Sequence, residues 1–305
     1  MFVTGATGFL GRHAVARLVA AGARVIGTAR RPRADRDGVR WAVVDLNDAD
    51  ELCAAVDETR PDVVLHFGGY VSAAIDPAVV VPTFTTLLTS SVALLTAADQ
   101  GRMGRLVLIG SVDEPRNGRA PISPYGAAKA AVRSYAQLYA NAFATPVVIV
   151  RPADVYGPGQ ARSKLLPHVA DAVLRGQRPQ LSSCQRRADW VYVDDVVEGL
   201  LAAARDAPAG AEIDLGSGVL RPDRDVVQGL IAALGSSIEP AWGALPDRAV
   251  EQDRMADVDE AGRLLGWSAR TTLADGLRRT AAAARQQRSA TVEHLHAGAD
   301  PSRRS

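Results

Sequence analysis

The chain opens Met1-Phe-Val-Thr-Gly-Ala-Thr-Gly-Phe-Leu-Gly11, and the spacing of Gly5, Gly8 and Gly11 in that stretch decides the fold. An apolar stub runs into three glycines. Leu10, Ala14, Val15, Leu18 and Val19 then recur at helical spacing until Gly22 stops the pattern. The passage predicts a strand, a tight turn and a helix. Gly5 permits the turn, Gly8 lets the backbone approach a pyrophosphate, and Gly11 lets the helix pack closely on its strand. The helix N-terminus would face the phosphates. Glycines also gather in turns that bind nothing, so the rest of the chain must separate the two readings.

Downstream, short apolar runs alternate with helical patterns. Arg24-Val-Ile-Gly-Thr28 reads as a second strand and Val43-Val-Asp-Leu46 as a third. Asn47 to Thr59 reads as a helix capped by Asn47 or Asp48, and Pro61 to Gly69 as a fourth strand ending in small residues. A long helix is expected over Thr83 to Gln100, then strand Arg105 to Gly110, helix Tyr125 to Ala142 and strand Pro146 to Val150. Strands that are apolar throughout belong to a parallel sheet covered on both faces. Past Arg151 the pattern loosens. A loop around Tyr156 to Gly159 precedes a helix near Leu165 to Arg175, an apolar run Trp190 to Val193 and a helix capped by Asp194. A strand is expected at Glu212 to Leu215 and short helices from about 221 to Arg285. Residues 286–305 are polar, lack an apolar stripe and read as a disordered tail.

A chain of 305 residues accommodates one large α/β domain, or a domain with a smaller lobe. A formal net charge of +1 gives no reason to expect nucleic acid or an acidic membrane surface as partner. Cys53 and Cys184 stand far apart, outside any C-x-x-C pairing, and His13, His168, His294 and His296 lack metal-ligand spacing, so no metal site is expected. His66 reads as a strand-end residue beside the glycine loop. No 18-residue apolar run or basic lead-in is read from the sequence, so the expectation is a cytoplasmic protein with no membrane partner. No G-x-S-x-G elbow supports a serine hydrolase.

The chemistry concentrates in Tyr125-Gly-Ala-Ala-Lys129, with Ser111 upstream. Four residues make about one helical turn, so Tyr125 and Lys129 share a face. A neighbouring ammonium would favour the phenolate and let Tyr125 exchange protons near neutrality. Ser111 ends an apolar strand, where parallel sheets bind ligands, and its hydroxyl can hold a carbonyl or hydroxyl oxygen.

With these motifs the sequence resembles the extended short-chain dehydrogenases/reductases, in the group of nucleotide-sugar epimerases, dehydratases and ketoreductases. The resemblance covers about residues 1–285. It rests on Thr4 to Gly11, Asp45-Leu46, His66 to Gly69, Ser111, Tyr125 and Lys129. It continues through Arg151 to Gly159, Arg187 to Asp195, Leu264 to Trp267 and Leu273 to Leu277. It implies a doubly wound parallel-sheet Rossmann-type α/β fold with a small, discontinuous C-terminal substrate lobe. The expected division is a cofactor domain over 1–160, with 186–218 returning to it, and a lobe over 161–185 and 219–285. By resemblance, Tyr125 is the acid/base, Ser111 the orienting hydroxyl and Lys129 the ribose-binding lysine. The expected cofactor residues are Gly5, Thr7, Gly8, Phe9, Leu10, Gly11, Arg30, Arg31, Asp45, Leu46, Phe67, Gly68, Gly69, Tyr125, Lys129, Pro152 and Val155. Those expected at the substrate are Tyr70, Ser72, Ser111, Val112, Asp113, Asp154 and Arg187, with Arg186 as alternative to Arg187 for a substrate pyrophosphate. A homodimer through the helices near 83–100 and 125–142 is implied by resemblance only.

The end of the second strand bears on the cofactor. An acid there hydrogen-bonds the adenosine 2′-OH of NAD, whereas arginine accommodates the 2′-phosphate of NADP. Thr28-Ala-Arg-Arg31 supplies two guanidiniums and no acid before Asp35, which favours NADP, with NAD as alternative. The reading is therefore NADPH-dependent reduction of a keto group on a nucleotide-linked 4-keto-6-deoxysugar. A sugar 4-epimerase, a reductase of a non-sugar ketone and a non-catalytic dinucleotide sensor are the alternatives. Departures from the group bear on the sugar. Val112 intervenes between Ser111 and the Asp113-Glu114 pair that performs elimination in related dehydratases, and Asp154 stands where an asparagine is common.

Overall fold

The computed structural model describes residues 1–298 apart from 36, 73, 116–117 and 248–251, and gives only the backbone over 290–298. Seven parallel strands form the main sheet in the order β3-β2-β1-β4-β5-β6-β9. They are β1 (Phe2–Thr4), β2 (Val25–Ala29), β3 (Val39–Val43), β4 (Val63–His66), β5 (Arg105–Ile109), β6 (Val147–Pro152) and β9 (Glu212–Leu215). The order reverses between β1 and β4, and ligands of such sheets bind in the crevice at the carboxyl ends of the strands there. Helices α1 (Phe9–Ala20), α2 (Ala49–Thr59), α3 (Val80–Thr83), α4 (Ser90–Asp99), α5 (Pro124–Phe143) and α7 (Val193–Asp206) accompany the sheet. One core, including Val3, Leu65, Val107, Val148 and Leu200, lies on one face. The other, including Phe2, Leu52, Leu94, Leu106 and Ile149, lies on the opposite face. Adjacent residues of one strand, such as Phe2 and Val3, enter different cores, which is why these strands read as unbroken apolar runs.

A second, three-stranded sheet, β10-β8-β7, carries β7 (Asp154–Tyr156), β8 (Arg187–Tyr192) and β10 (Leu220–Pro222). With α6 (Leu165–Leu174), α8 (Asp223–Ala233) and α10 (Leu273–Gly298) it encloses a third core built on Tyr156, Leu166, Trp190, Leu230 and Leu277. The remaining helix is α9 (Asp259–Leu265).

Several expectations are corrected. The third strand begins at Val39 rather than Val43, because the positive φ of Asp37 and Gly38 turns the chain there and Asp45 then ends it by accepting from Asn47 N–H at 3.0 Å. The loop expected around Tyr156 begins with β7, paired in parallel with β8. Asp194 does not cap α7, whose N-cap is Tyr192 without a side-chain bond. Asp195 instead accepts from the backbone of Arg270 and Thr271. The disordered tail is also corrected. Helix α10 runs to Gly298, since Ala, Arg and Gln favour helix without an apolar stripe, and 299–305 lie outside the described residues.

The helix expected from Thr83 begins as a 3-10 turn at Pro77, widens to a π-helix over Phe84–Thr89 and returns to α4. Contrary to the sequence reading, Pro77–Asp99 is long and apolar enough to cross a membrane by length and composition. Its Leu87, Leu94, Leu95, Ala97 and Ala98 are buried, and the stretch packs on α2, α5 and β5.

Candidate active site

The glycine turn sits at the carboxyl end of β1. Gly5 has φ +62°, and a Cβ there would lie 2.8 Å from Gly68 N, so two loops meet backbone to backbone. A Cβ on Gly11 would collide with the Gly5 carbonyl. The N-cap of α1 is Gly8, with no side-chain cap and no acid in the first turn, and Thr7 and Gly8 are exposed. Uncapped N–H groups at an open helix end, approached by glycine backbone on both sides, fit a dinucleotide pyrophosphate. Phe9 and Leu10 start the helix, and Phe67, Gly68 and Gly69 come after β4 beside it. Leu46 leans on Gly68, placing the Asp45-Leu46 turn against the same loop. Pro152 ends β6 and Val155 lies in β7.

Arg30 and Arg31 are exposed in the loop after β2 and form no ion pair among the described residues. The first acid beyond them, Asp35, accepts from Trp41 N–H at 2.8 Å and so faces β3. Arg33, which the sequence reading passed over, stacks on Trp41 at 4.7 Å.

Beneath the glycine loop lies a buried network centred on His66. Gly68 N–H donates to Thr4 Oγ1 at 3.1 Å, so the Thr4 hydroxyl gives its proton to His66 Nδ1 at 2.7 Å. Ser90 spends its proton on Thr86 O at 2.7 Å and accepts from His66 Nε2 at 3.1 Å. These directions require a neutral imidazole protonated at Nε2. Burial first, and then the charge of Lys129, push His66 down to about 3, so it stays neutral. Thr86 Oγ1 also accepts from Tyr70 N–H at 2.8 Å, which ties the loop after β4 to the π-helix. A histidine at a strand end carried no sign of this role, because its partners come from β1 and α4.

The residues expected to be catalytic are brought together around α5. Ser123 caps the helix, accepting from Gly126 N–H at 3.0 Å, and Pro124 occupies its first position, so Tyr125 falls in the first turn and Lys129 one turn on. The Lys129 ammonium lies 5.8 Å from the Tyr125 ring centre and donates to the Ile109 carbonyl. Ser111 lies just past the end of β5, faces Tyr125 and accepts from Asp113 N–H at 3.1 Å. Desolvation pushes Lys129 down to about 8. Tyr125 moves opposite to the sequence reading. Burial, then the Asp113 charge, raise the phenol well above its usual range, and the Ser111 hydroxyl only partly opposes this. The phenol therefore keeps its proton.

The positions expected at the substrate separate into two groups. Asp113 is exposed near Tyr125 and Asp154. Asp154 is pushed up to about 6, by burial first, against the Arg186 guanidinium 3.4 Å away. Arg186 also binds Asp223 at 3.0 Å, and Asp223 takes the Trp190 indole N–H at 3.1 Å. Arg187, the first choice for a pyrophosphate, points instead to exposed Asp253 at 3.8 Å. Tyr70 is exposed, and Ser72 accepts from Ala74 N–H at 3.2 Å. Val112 is 5% exposed and packs in the sheet core. Asp189, within the Arg187 to Asp195 stretch, is fully buried and holds the backbone of Ser217, Gly218 and Ala256, a scaffold role.

The chain is similar to known proteins along most of its length. The chain is 29% identical to the UDP-glucose 4-epimerase of Mycolicibacterium smegmatis, over 91% of this chain and 96% of that one. It is 30% identical to a dTDP-6-deoxy-L-talose 4-dehydrogenase (NAD(P)(+)) of Kitasatospora kifunensis, over 90% and 92%. It superposes on the crystal structure of Thermus thermophilus UDP-glucose 4-epimerase in complex with NAD with a TM-score of 0.82, at 27% identity, covering 93% and 98% of the two chains. These relatives are enzymes of the extended short-chain dehydrogenase type, and the seven-stranded fold agrees with the superposed epimerase. Residues 1–216 match the family model, and the chain belongs to the NAD dependent epimerase/dehydratase family.

Proposed function

We propose that the protein reduces the keto group of a nucleotide-linked 4-keto-6-deoxysugar, with NADPH as reductant. The observation that carries this reading is the protonated phenol of Tyr125 facing the Ser111 hydroxyl beside Lys129. Bound NADPH would supply the hydride to the carbonyl carbon. The Ser111 hydroxyl holds the carbonyl oxygen, and Tyr125 gives that oxygen its proton, which completes the alcohol. Lys129 supplies a cation on the same helix face to grip a ribose and stabilise the phenolate left behind. Gly5, Gly8 and Gly11 would hold the pyrophosphate, and Arg30 and Arg31 the 2′-phosphate, with Arg186 and Asp154 facing the sugar nucleotide. The similarity to a talose 4-dehydrogenase supports redox chemistry at a sugar C4.

A 4-epimerase is the second reading, favoured by the match to the mycobacterial epimerase over nearly its whole length. Elimination of water has less support. Glu114, which would have to reach the sugar, is 1% exposed and turned beneath the end of β5. A homodimer is proposed on the exposed apolar residues Val81, Phe84 and Leu138 of α3, the adjoining π-helix and α5. A sedimentation mass of one chain would count against it.

Incubation with a nucleotide-4-keto-6-deoxyhexose is expected to consume one equivalent of NADPH per sugar. Interconversion of a sugar with no net loss of NADPH absorbance would replace the reductase reading by the epimerase. Replacing Arg30 and Arg31 together by Ala is expected to weaken NADPH at least about tenfold and NADH by less than about threefold, as loss of two phosphate-binding charges requires. Equal weakening of both would overturn the choice of NADP.

A further inference from the structure

Glu114 is a buried acid that the proposed chemistry does not use. The chain turns tightly after Ser111, with Glu114 N–H donating to Ser111 O at 3.2 Å. The side chain folds back under that turn, and its Oε1 accepts from Ser111 N–H at 2.7 Å. Gly110 makes room for it. A Cβ there would lie 2.5 Å from Glu114 Oε1 and 2.6 Å from Arg151 Cγ. The other oxygen, Oε2, finds no hydrogen-bond partner among the described residues. A buried carboxylate with an orphaned oxygen is costly, so a compensating charge is expected nearby.

Three cations surround it: Lys129 and Arg133 on α5 and Arg151 on β6. The two arginines are already balanced. Arg151 binds Asp214 at 2.7 Å and Glu212 at 2.8 Å on β9, and Arg133 binds Glu212 at 2.7 Å. Burial pushes the Glu114 carboxyl above its usual range, and Arg151, then Lys129 and Arg133, oppose this. The two guanidiniums also face Glu212 and Asp214, whereas Glu114 is the carboxylate that acts on Lys129. Tyr125 completes the groups that face it. We propose that Glu114 is a positioning residue for the site: one oxygen fixes the backbone that presents Ser111, and its charge balances Lys129. The same carboxylate thus governs both the hydroxyl that orients the substrate oxygen and the cation beside the proton donor. The role differs from elimination, for which the carboxylate would have to face the sugar.

The direction of the effect comes from the charges. Glu114 favours the protonated forms of both Lys129 and Tyr125. Glu114→Gln keeps an oxygen for Ser111 N–H and removes the charge. Both groups then release their protons at lower pH. Reduction needs the protonated phenol, so the basic limb of the kcat–pH profile is expected to move down by about one pH unit. On the acid side of that limb kcat and KM should stay within about twofold. Glu114→Ala removes the Ser111 anchor as well, and is expected to raise KM and lower kcat at every pH. A basic limb unmoved in a folded Glu114→Gln protein would overturn the proposal.

The inference rests on the reading of Tyr125 as proton donor, and a second measurement separates the two. In the unaltered protein without cofactor or substrate, carbon-13 shifts of the Lys129 ε-carbon and the Glu114 carboxyl carbon are expected to share an inflection. Independent titrations of these groups would overturn the charge balance even if the reductase reading stands. A shared inflection with no reductase activity would keep the charge balance and remove only the reading of Tyr125. Because this titration needs no variant, it decides the matter even if Glu114→Gln fails to fold.

Discussion

Tyr125→Phe is expected to lower kcat by about a thousandfold or more while leaving NADPH affinity within about threefold. The phenyl ring keeps the packing of the first turn of α5 and the face above which Lys129 lies at 5.8 Å. Only the proton donor is lost. Ser111 can hold a carbonyl oxygen, but its own proton is far too weakly acidic to replace a phenol. Dinucleotide binding is checked by fluorescence titration and turnover by NADPH absorbance. Retention of more than about a tenth of the rate would remove Tyr125 from its assigned role. A fall in affinity parallel to the rate would mean that the ring, rather than its hydroxyl, matters.

Gly11→Ala is expected to be nearly as severe by a different route. The added Cβ would meet the Gly5 carbonyl oxygen, with Gly5 C at 2.8 Å and Ala6 Cα at 2.9 Å. All three are backbone atoms and cannot swing aside, so either α1 lifts off the sheet or the turn opens. The expected cost is about 3 kcal/mol or more of stability, toward the upper end for overpacking. Dinucleotide affinity should fall by at least about a hundredfold, because the same shift moves the helix N-terminus. Gly262→Ala is the control. Nothing lies within 4 Å of its Cβ and the position is helical, so it should be neutral or slightly stabilising. Equal melting temperatures for the two variants would refute the packing argument.

Much of this molecule was legible because sheet and site share one rule. Strands buried on both faces read as apolar runs, and the residues just past their carboxyl ends read as chemistry. Gly5 after β1, Gly68 after β4 and Ser111 after β5 could all be placed this way. The features that escaped depend on partners distant in sequence. The His66 network joins Thr4 to Ser90, and the Arg186 cluster joins Asp154 to Asp223. Charge sums also escaped. The Lys129 ammonium promised a lowered phenol, but desolvation and the carboxylates of Asp113 and Glu114 raise it, against the Ser111 hydrogen bond alone. Short β7 was lost among Pro and Gly, and α10 was cut short by equating helix with an apolar stripe.

The third hydrophobic core has a mechanical consequence. Leu10, in the first turn of α1, and Val155, in β7, pack against both that core and the core of the sheet. Two separate cores behave as separate cooperative units, and the less stable one opens without melting the other. Amide exchange in α6 and α8 against that in β5 and β6 reads the difference directly. Leu10 and Val155 join the two units. Steadying the first turn of α1 is therefore expected to slow amide exchange in α6 and α8 as well.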